Sequence, residues 1–125
     1  MKKILFVSTR NPYSNRYSGD VIGSKKIVNI LKKKSLLDVG SGLCVFPAEA
    51  KKHFANVSCI DVDQITIDHA KNNVGVHEAI KGSFGDIKLK KKYDFITFNK
   101  VLEHIPDPSK ILKKARDSLT KNGII

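Results

Sequence analysis

The run Ser35-Leu36-Leu37-Asp38-Val39-Gly40-Ser41-Gly42 constrains the fold of this chain more than any other. A short apolar stretch takes in an acidic residue and then turns through two glycines. That is the pattern of a buried parallel strand opening into a loop able to hold a nucleotide-like ligand. The next apolar run, residues 57–61, ends in a second acid, Asp61. It lies about twenty residues further on, the distance expected for a carboxylate that hydrogen-bonds a ribose. The two features carry the signal together, since a Gly-x-Gly alone only marks a turn.

Strand-like and helix-like segments alternate along the rest of the chain, which predicts an α/β domain with a parallel sheet and flanking helices. Strands are expected over 4–8, 36–39, 57–61 and 93–98, with a weaker one over 78–81. Helices are expected over 20–33, 47–54 (Pro47 in the first turn), 63–72 and 109–120, the last capped by Ser109. In the 63–72 helix, Ile67 and Ala70 fall on the inner face. In the last helix, Ile111, Leu112, Ala115 and Leu119 recur at helical spacing. Asn122-Gly123 then stops the helix and Ile124-Ile125 starts another strand. A chain that stops inside an apolar strand, with no polar tail, is expected to be a fragment or to lack a C-terminal portion.

At 125 residues the chain has room for one core. Its longest opening apolar run, residues 4–7, is too short for a secretory signal, and no run approaches the roughly 20 residues of a membrane span. The cytoplasm is therefore the expected location. Cys44 and Cys59 lack metal or redox spacing and read as free thiols near the core. The net charge of +11 is carried almost wholly by lysine, with arginine only at 10, 16 and 116. Base and phosphate recognition favours arginine forks and interleaved aromatics, so nucleic acid is not the expected partner. The runs 32–34 and 90–92 read as solvated ends of elements, and weak salt-dependent binding to RNA would be in keeping with them.

In a parallel sheet the carboxyl ends of the strands share one edge, where ligands bind. The Gly40-Ser41-Gly42 turn brings backbone amides there, at the start of a helix whose dipole favours negative groups. Asp61 can accept two hydroxyl hydrogen bonds. Asp86, in Gly85-Asp86-Ile87, can accept from an exocyclic amine, and Asn99 lies at the floor of the crevice. Each has a plain alternative. Asp38 can brace the turn, Asp61 can cap a helix (a task open to Asp63), Asp86 can be a turn residue and Asn99 a helix cap.

The run 36–42 resembles the first motif of the class I S-adenosylmethionine-dependent methyltransferases. Cys59-Ile60-Asp61-Val62-Asp63 is similar to their second strand with its ribose-binding acid, and Gly85-Asp86-Ile87 to the adenine-side acid. The segment 93–108, with Asn99 and Glu103-His104, is similar to the fourth-strand region of the small-molecule branch, and 111–123 to the following helix and turn. The resemblance implies a Rossmann-like sheet of seven strands. Asp38, Gly40, Ser41, Gly42, Asp61, Val62, Asp86, Ile87 and Asn99 would then contact S-adenosyl-L-methionine, with Glu103 and His104 flanking the crevice. His104 is the candidate general base, and a wall or packing role is the alternative. His53, His69 and His77 read as surface or loop residues. No metal is implied.

Two departures stand out. The family's third glycine is replaced by Cys44, whose side chain is expected to narrow the pocket. The family's last two strands are also missing, which leaves an open sheet edge suited to self-association. Residues 1–31 carry a second resemblance, through Lys3 to Pro12 and Arg16 to Ile22, to the opening of a GT-B glycosyltransferase. The expected organisation is an N-terminal strand-loop-helix segment over 1–34 and a truncated methyltransferase-like domain over 35–125. The expected activity is methyl transfer to a small molecule or glycan precursor. The alternatives are an inactive or vestigial binding module and a glycosyltransferase-derived fragment.

Overall fold

Five short segments fold into five parallel strands. The computed structural model describes residues 30–125. The expected strand over 4–8, nearly all of the helix over 20–33 and the glycosyltransferase-like opening lie outside the described residues. The elements in chain order are β1 (Ser35–Val39), α1 (Val45–Ala50), β2 (Asn56–Asp61), α2 (Gln64–His69), β3 (Glu78–Lys81), β4 (Tyr93–Phe98), α3 (Pro108–Asp117) and β5 (Leu119–Ile124). A π-helical turn, Ala70–Val74, extends α2, and a 3-10 turn, Leu102–His104, follows β4. The sheet order is β3-β2-β1-β4-β5, parallel throughout. The resemblance implied seven strands; the described residues hold five.

Alternation along the strands sends side chains to two faces. On one face Leu37, Val39, Ile60 and Ile96 meet Phe84 and the inner side of α3, through Ile111 and Ala115. On the other, Leu36 and Val57 pack on Ala50 of α1, and Cys59 packs on Ala70 beyond α2. Leu37 and Ile96 have no exposed surface, and burial of each such side chain contributes about 1.5–3 kcal/mol. Ile67 and Ala70 are both buried, as their spacing predicts.

Strands β1 to β4 fall within a residue of their expected bounds, whereas β5 and the helix ends do not. The first helix begins at Val45 rather than Pro47, capped by Cys44 in left-handed backbone (φ 57°). Pro47 still sits in the first turn, where a missing N–H leaves no bond unmade. The cap of α3 is Asp107, not Ser109; its carboxylate accepts the Lys110 N–H at 3.1 Å, and Pro108 opens the helix. That helix stops at Asp117, and Leu119, four residues after Ala115, begins β5 instead of continuing it. Strand pairing overrides the helical period here. The Tyr93 N–H donates to Ser118 O at 3.0 Å and Leu119 pairs with Tyr93. Gly123 then lies inside a strand, not at a helix stop.

At the amino edge, Asp94 fastens three strands. Its Oδ2 accepts from the Ser35 N–H (2.9 Å) and Ser35 Oγ (3.1 Å), while its Oδ1 accepts from Lys34 Nζ (3.3 Å) and Thr120 Oγ1 (3.1 Å). Burial alone would raise this carboxyl, but the bonds from Ser35, Lys34 and Thr120 outweigh it and hold the group below its ordinary value.

Candidate functional site at the carboxyl edge

The strand order reverses at β1: β2 and β3 lie to one side, β4 and β5 to the other. The crevice outside the carboxyl ends of β1 and β4 is therefore the place a ligand binds in such a sheet. β1 delivers Gly40, Ser41 and Gly42 there, β2 delivers Asp61 and Val62, and β4 delivers Asn99.

The link between the first two strands is direct. The Gly42 N–H donates to Asp61 Oδ2 at 3.0 Å, and the Asp63 N–H donates to Asp61 Oδ1 at 3.0 Å. The capping of α2 falls to Asp63, which accepts the Ile65 N–H at 3.0 Å. Asp61 is thus free of that role, stays partly exposed, and retains lone pairs for further donors. Val62 beside it is 66% exposed. Gly42 has positive φ and nothing within 4 Å of where a side chain would start, so the loop presents bare backbone to solvent. Gly40 needs its missing side chain for a different reason: a Cβ would stand 2.5 Å from Val101 Cγ2, closing the approach of the post-β4 segment.

Asp38 lies beneath this turn, 1% exposed. Its Oδ1 accepts from Thr97 Oγ1 at 2.6 Å and from Asn99 Nδ2 at 3.3 Å, and its backbone carbonyl accepts from Ser41 Oγ at 3.0 Å. Burial pushes its carboxyl above the ordinary value; the Thr97, Ser41 and Asn99 bonds pull the other way without cancelling the shift, and the Asp61 charge adds to the rise. A buried carboxylate held by β4 donors thus ties the glycine turn to β4, which matches the bracing alternative for Asp38. Thr97 is the residue that sequence reasoning missed. Its signal was a hydroxyl inside a run that is apolar but for Asp94, and the register places it directly across from Asp38.

Among the described residues no hydrogen bond ties Asp86 or Ile87 to this group. Asp86 is exposed, in a turn five residues past β3, and lines a separate cleft with Lys88 and Lys114. Ile87 packs against Gly82 and the α3-side core. Glu103 and His104 are exposed on the 3-10 turn after β4. The other histidines fall at the opposite edge: His53 follows α1, His69 ends α2 and His77 precedes β3, its Nδ1 accepting the Val57 N–H at 3.1 Å.

The expected narrowing of the pocket by Cys44 is not seen. Its side chain is fully buried and packs with Cys59 and Ala70, leaving only its left-handed backbone in the loop. Both thiols are free and buried, and burial raises both, Cys59 to about 12. That makes them inert at neutral pH.

Comparison with known proteins agrees with this geometry. The family described as "Methyltransferase domain" matches residues 8–125. The ubiquinone biosynthesis O-methyltransferase of Coxiella burnetii (strain Dugway 5J108-111) is 34% identical over 98 residues, covering 74% of this chain and 42% of that protein. The enzyme of the same name from Pasteurella multocida (strain Pm70) is 30% identical over 112 residues, covering 78% and 46%. The chain therefore spans less than half the length of these curated relatives. Among solved structures, an S-adenosylmethionine-dependent methyltransferase from Clostridium acetobutylicum superposes with a TM-score of 0.68 at 22% identity, covering 83% of this chain and 46% of that one. An amino pentose methyltransferase from Micromonospora echinaspora, solved with S-adenosylmethionine bound, gives 0.67 at 15% identity, covering 82% and 48%. These two likenesses show a shared fold. With a sheet reversing at β1, a glycine turn bonded to the acid of β2 and a family match over nearly the whole chain, this protein is a member of the methyltransferase domain family.

Proposed function

We propose that the protein transfers a methyl group from S-adenosyl-L-methionine to a small molecule or glycan precursor, with residues 35–125 carrying the cofactor site. The observation that carries this reading is the 3.0 Å bond between the Gly42 N–H and Asp61 Oδ2. It puts the diglycine turn and the second-strand carboxylate within the span of one adenosine. The residues fit the cofactor. Asp61 keeps lone pairs toward solvent for the ribose hydroxyls, Val62 offers an exposed apolar surface to the adenine, and the side-chain-free turn at Gly42 admits the methionine portion. Asp38, Thr97 and Asn99 hold the turn at β4, so the loop is organised before a ligand arrives.

The cofactor supplies a methyl group already activated on sulfur. The protein's task is to align an acceptor atom with it and to exclude water. The relatives named as O-methyltransferases favour a hydroxyl acceptor here, whose proton must leave. His104 is the one histidine at this edge, and we assign it that proton. The vestigial-module reading drew on the truncated sheet and on Cys44, and the buried Cys44 side chain removes the second of these supports.

Isothermal titration with S-adenosylhomocysteine tests the reading. Binding is expected, and Asp61→Ala should weaken it at least tenfold, since loss of a charge-assisted hydrogen bond costs about 1.5–3 kcal/mol. A folded chain that gives no heat at millimolar ligand, or an Asp61→Ala variant that binds normally, overturns it.

A further inference from the structure

The positive charge is not spread evenly over the molecule. Asp61, Asp63, Glu103 and Asp107 all follow the carboxyl ends of strands, at the crevice. The two lysine runs lie at the other edge. Lys32, Lys33 and Lys34 lead directly into β1, and Lys90, Lys91 and Lys92 lead directly into β4. β1 and β4 are parallel neighbours, with Ser35 bonded to Asp94. Runs about sixty residues apart in sequence therefore begin side by side.

Some of these lysines are committed within the protein. Lys34 pairs with Asp94 at 3.3 Å, and Lys91 lies 3.6 Å from Glu78 and over the Tyr93 ring. Lys114 donates to the carbonyls of Gly85 and Ile87. Lys32, Lys33, Lys88, Lys90 and Lys92 are exposed and have no ion-pair partner among the described residues. From Ile87 to Lys90 the chain alternates: Ile87 and Leu89 pack on the core, and Lys88 and Lys90 face out. Lys88, Lys90 and Lys92 border a cleft of about 530 Å³ between this segment and the end of α3, with Asp86, Asp117 and the tethered Lys114 also on its wall.

We propose that this lysine-bearing amino edge docks the phosphate backbone of a single-stranded nucleic acid without reading its sequence. Lysines without arginine forks supply point charges to phosphates, not bidentate recognition of bases. Among the described residues no exposed aromatic stands beside Lys88, Lys90 and Lys92, so the contact rests on charge and not on base stacking. A bilayer surface fits less well, because the apolar residues of the 86–92 segment are turned into the core and none is left to enter lipid. The edge lies opposite the crevice, so the strand and a crevice ligand bind independently.

Fluorescence anisotropy with a labelled 20-nucleotide oligouridylate, followed across salt concentrations, tests the proposal. The native chain is compared with a Lys88→Gln/Lys90→Gln/Lys92→Gln variant and with a control away from that edge, Lys81→Gln/Lys110→Gln/Lys113→Gln. Each variant has a net charge of +8 against the native +11. The native chain should bind at low salt. The edge variant should bind about tenfold more weakly, and its log–log salt slope should fall by about 2, near 0.7 for each phosphate no longer neutralised. The control should stay within about twofold, and S-adenosylhomocysteine heats should match in all three proteins. Equal weakening in the two variants would mean a general charge effect and overturn the assignment. So would no binding at low salt, or capture by phosphatidylglycerol vesicles but not by the oligonucleotide. Because the titration with S-adenosylhomocysteine is read separately, failure here leaves the crevice reading standing, and the reverse.

Discussion

Asp94 and Asp38 are both carboxylates in β1–β4 contacts, yet their surroundings push them in opposite directions. Asp94 sits at the amino edge with four donors, one of them the Lys34 ammonium, and its carboxyl is held below the 3.8 of an ordinary aspartate. Such a group stabilises the fold when ionised. Its contribution is present above the unfolded value and is lost as pH falls through the lowered folded value. Asp94→Asn should therefore lower stability by about 1–3 kcal/mol at pH 7, while mutant and native converge as pH falls below 3.8 toward and past the folded value. Urea melts at pH 7 and in acid check this, and an equal loss at both would contradict it. Asp38 is legible in the sequence as an acid in an apolar strand. Its partner Thr97 is not, because nothing in a linear string says which residue of β4 will stand opposite it; that needs the register. Cys44 shows the same limit. The sequence shows a side chain where a glycine is usual, but only packing reveals that the chain accepts a left-handed cysteine and buries its sulfur against Cys59.

Among the elements, strands were more legible than helices. A buried parallel strand writes itself as a short apolar run between breakers, and the expected bounds of 78–81 and 93–98 coincide with those of β3 and β4. Helix ends depend on which polar group reaches a free N–H; Ser109 is the expected cap of α3, and Asp107 takes the role. The turn from α3 to β5 misleads for a further reason. Leu119 satisfies the helical period from Ala115 and the strand pairing to Tyr93 at once, and the pairing wins. Gly123 shows how tightly that corner closes. A Cβ there would lie 2.8 Å from Leu119 Cβ and 3.1 Å from the Tyr93 carbonyl oxygen. Gly123→Ala should thus cost about 1–3 kcal/mol through overpacking against backbone, read as a lower denaturant midpoint. An unchanged midpoint would show that β5 moves away from β4 at little cost.

At the scale of the molecule, the alternation of apolar runs was enough to predict an α/β parallel sheet, and the glycine turn with Asp61 was enough to single out one edge of it for the proposed site. The sorting of charge to the two edges was not legible, since two lysine runs far apart in sequence become neighbours only when β4 docks on β1. That docking also sets the timing of assembly. β1 meets β2 across roughly twenty residues but meets β4 across about sixty, as in the Ser35–Asp94 bonds, which span 59 positions. Closing the longer loop is the slower event, because its entropy is lost before its contacts form. The crevice lies at the carboxyl ends of β2, β1 and β4 together, so it is not complete until that closure has taken place. A crevice ligand should accordingly lengthen the lifetime of the native state while leaving the refolding rate alone. Stopped-flow measurements with saturating S-adenosylhomocysteine would show only the unfolding arm displaced.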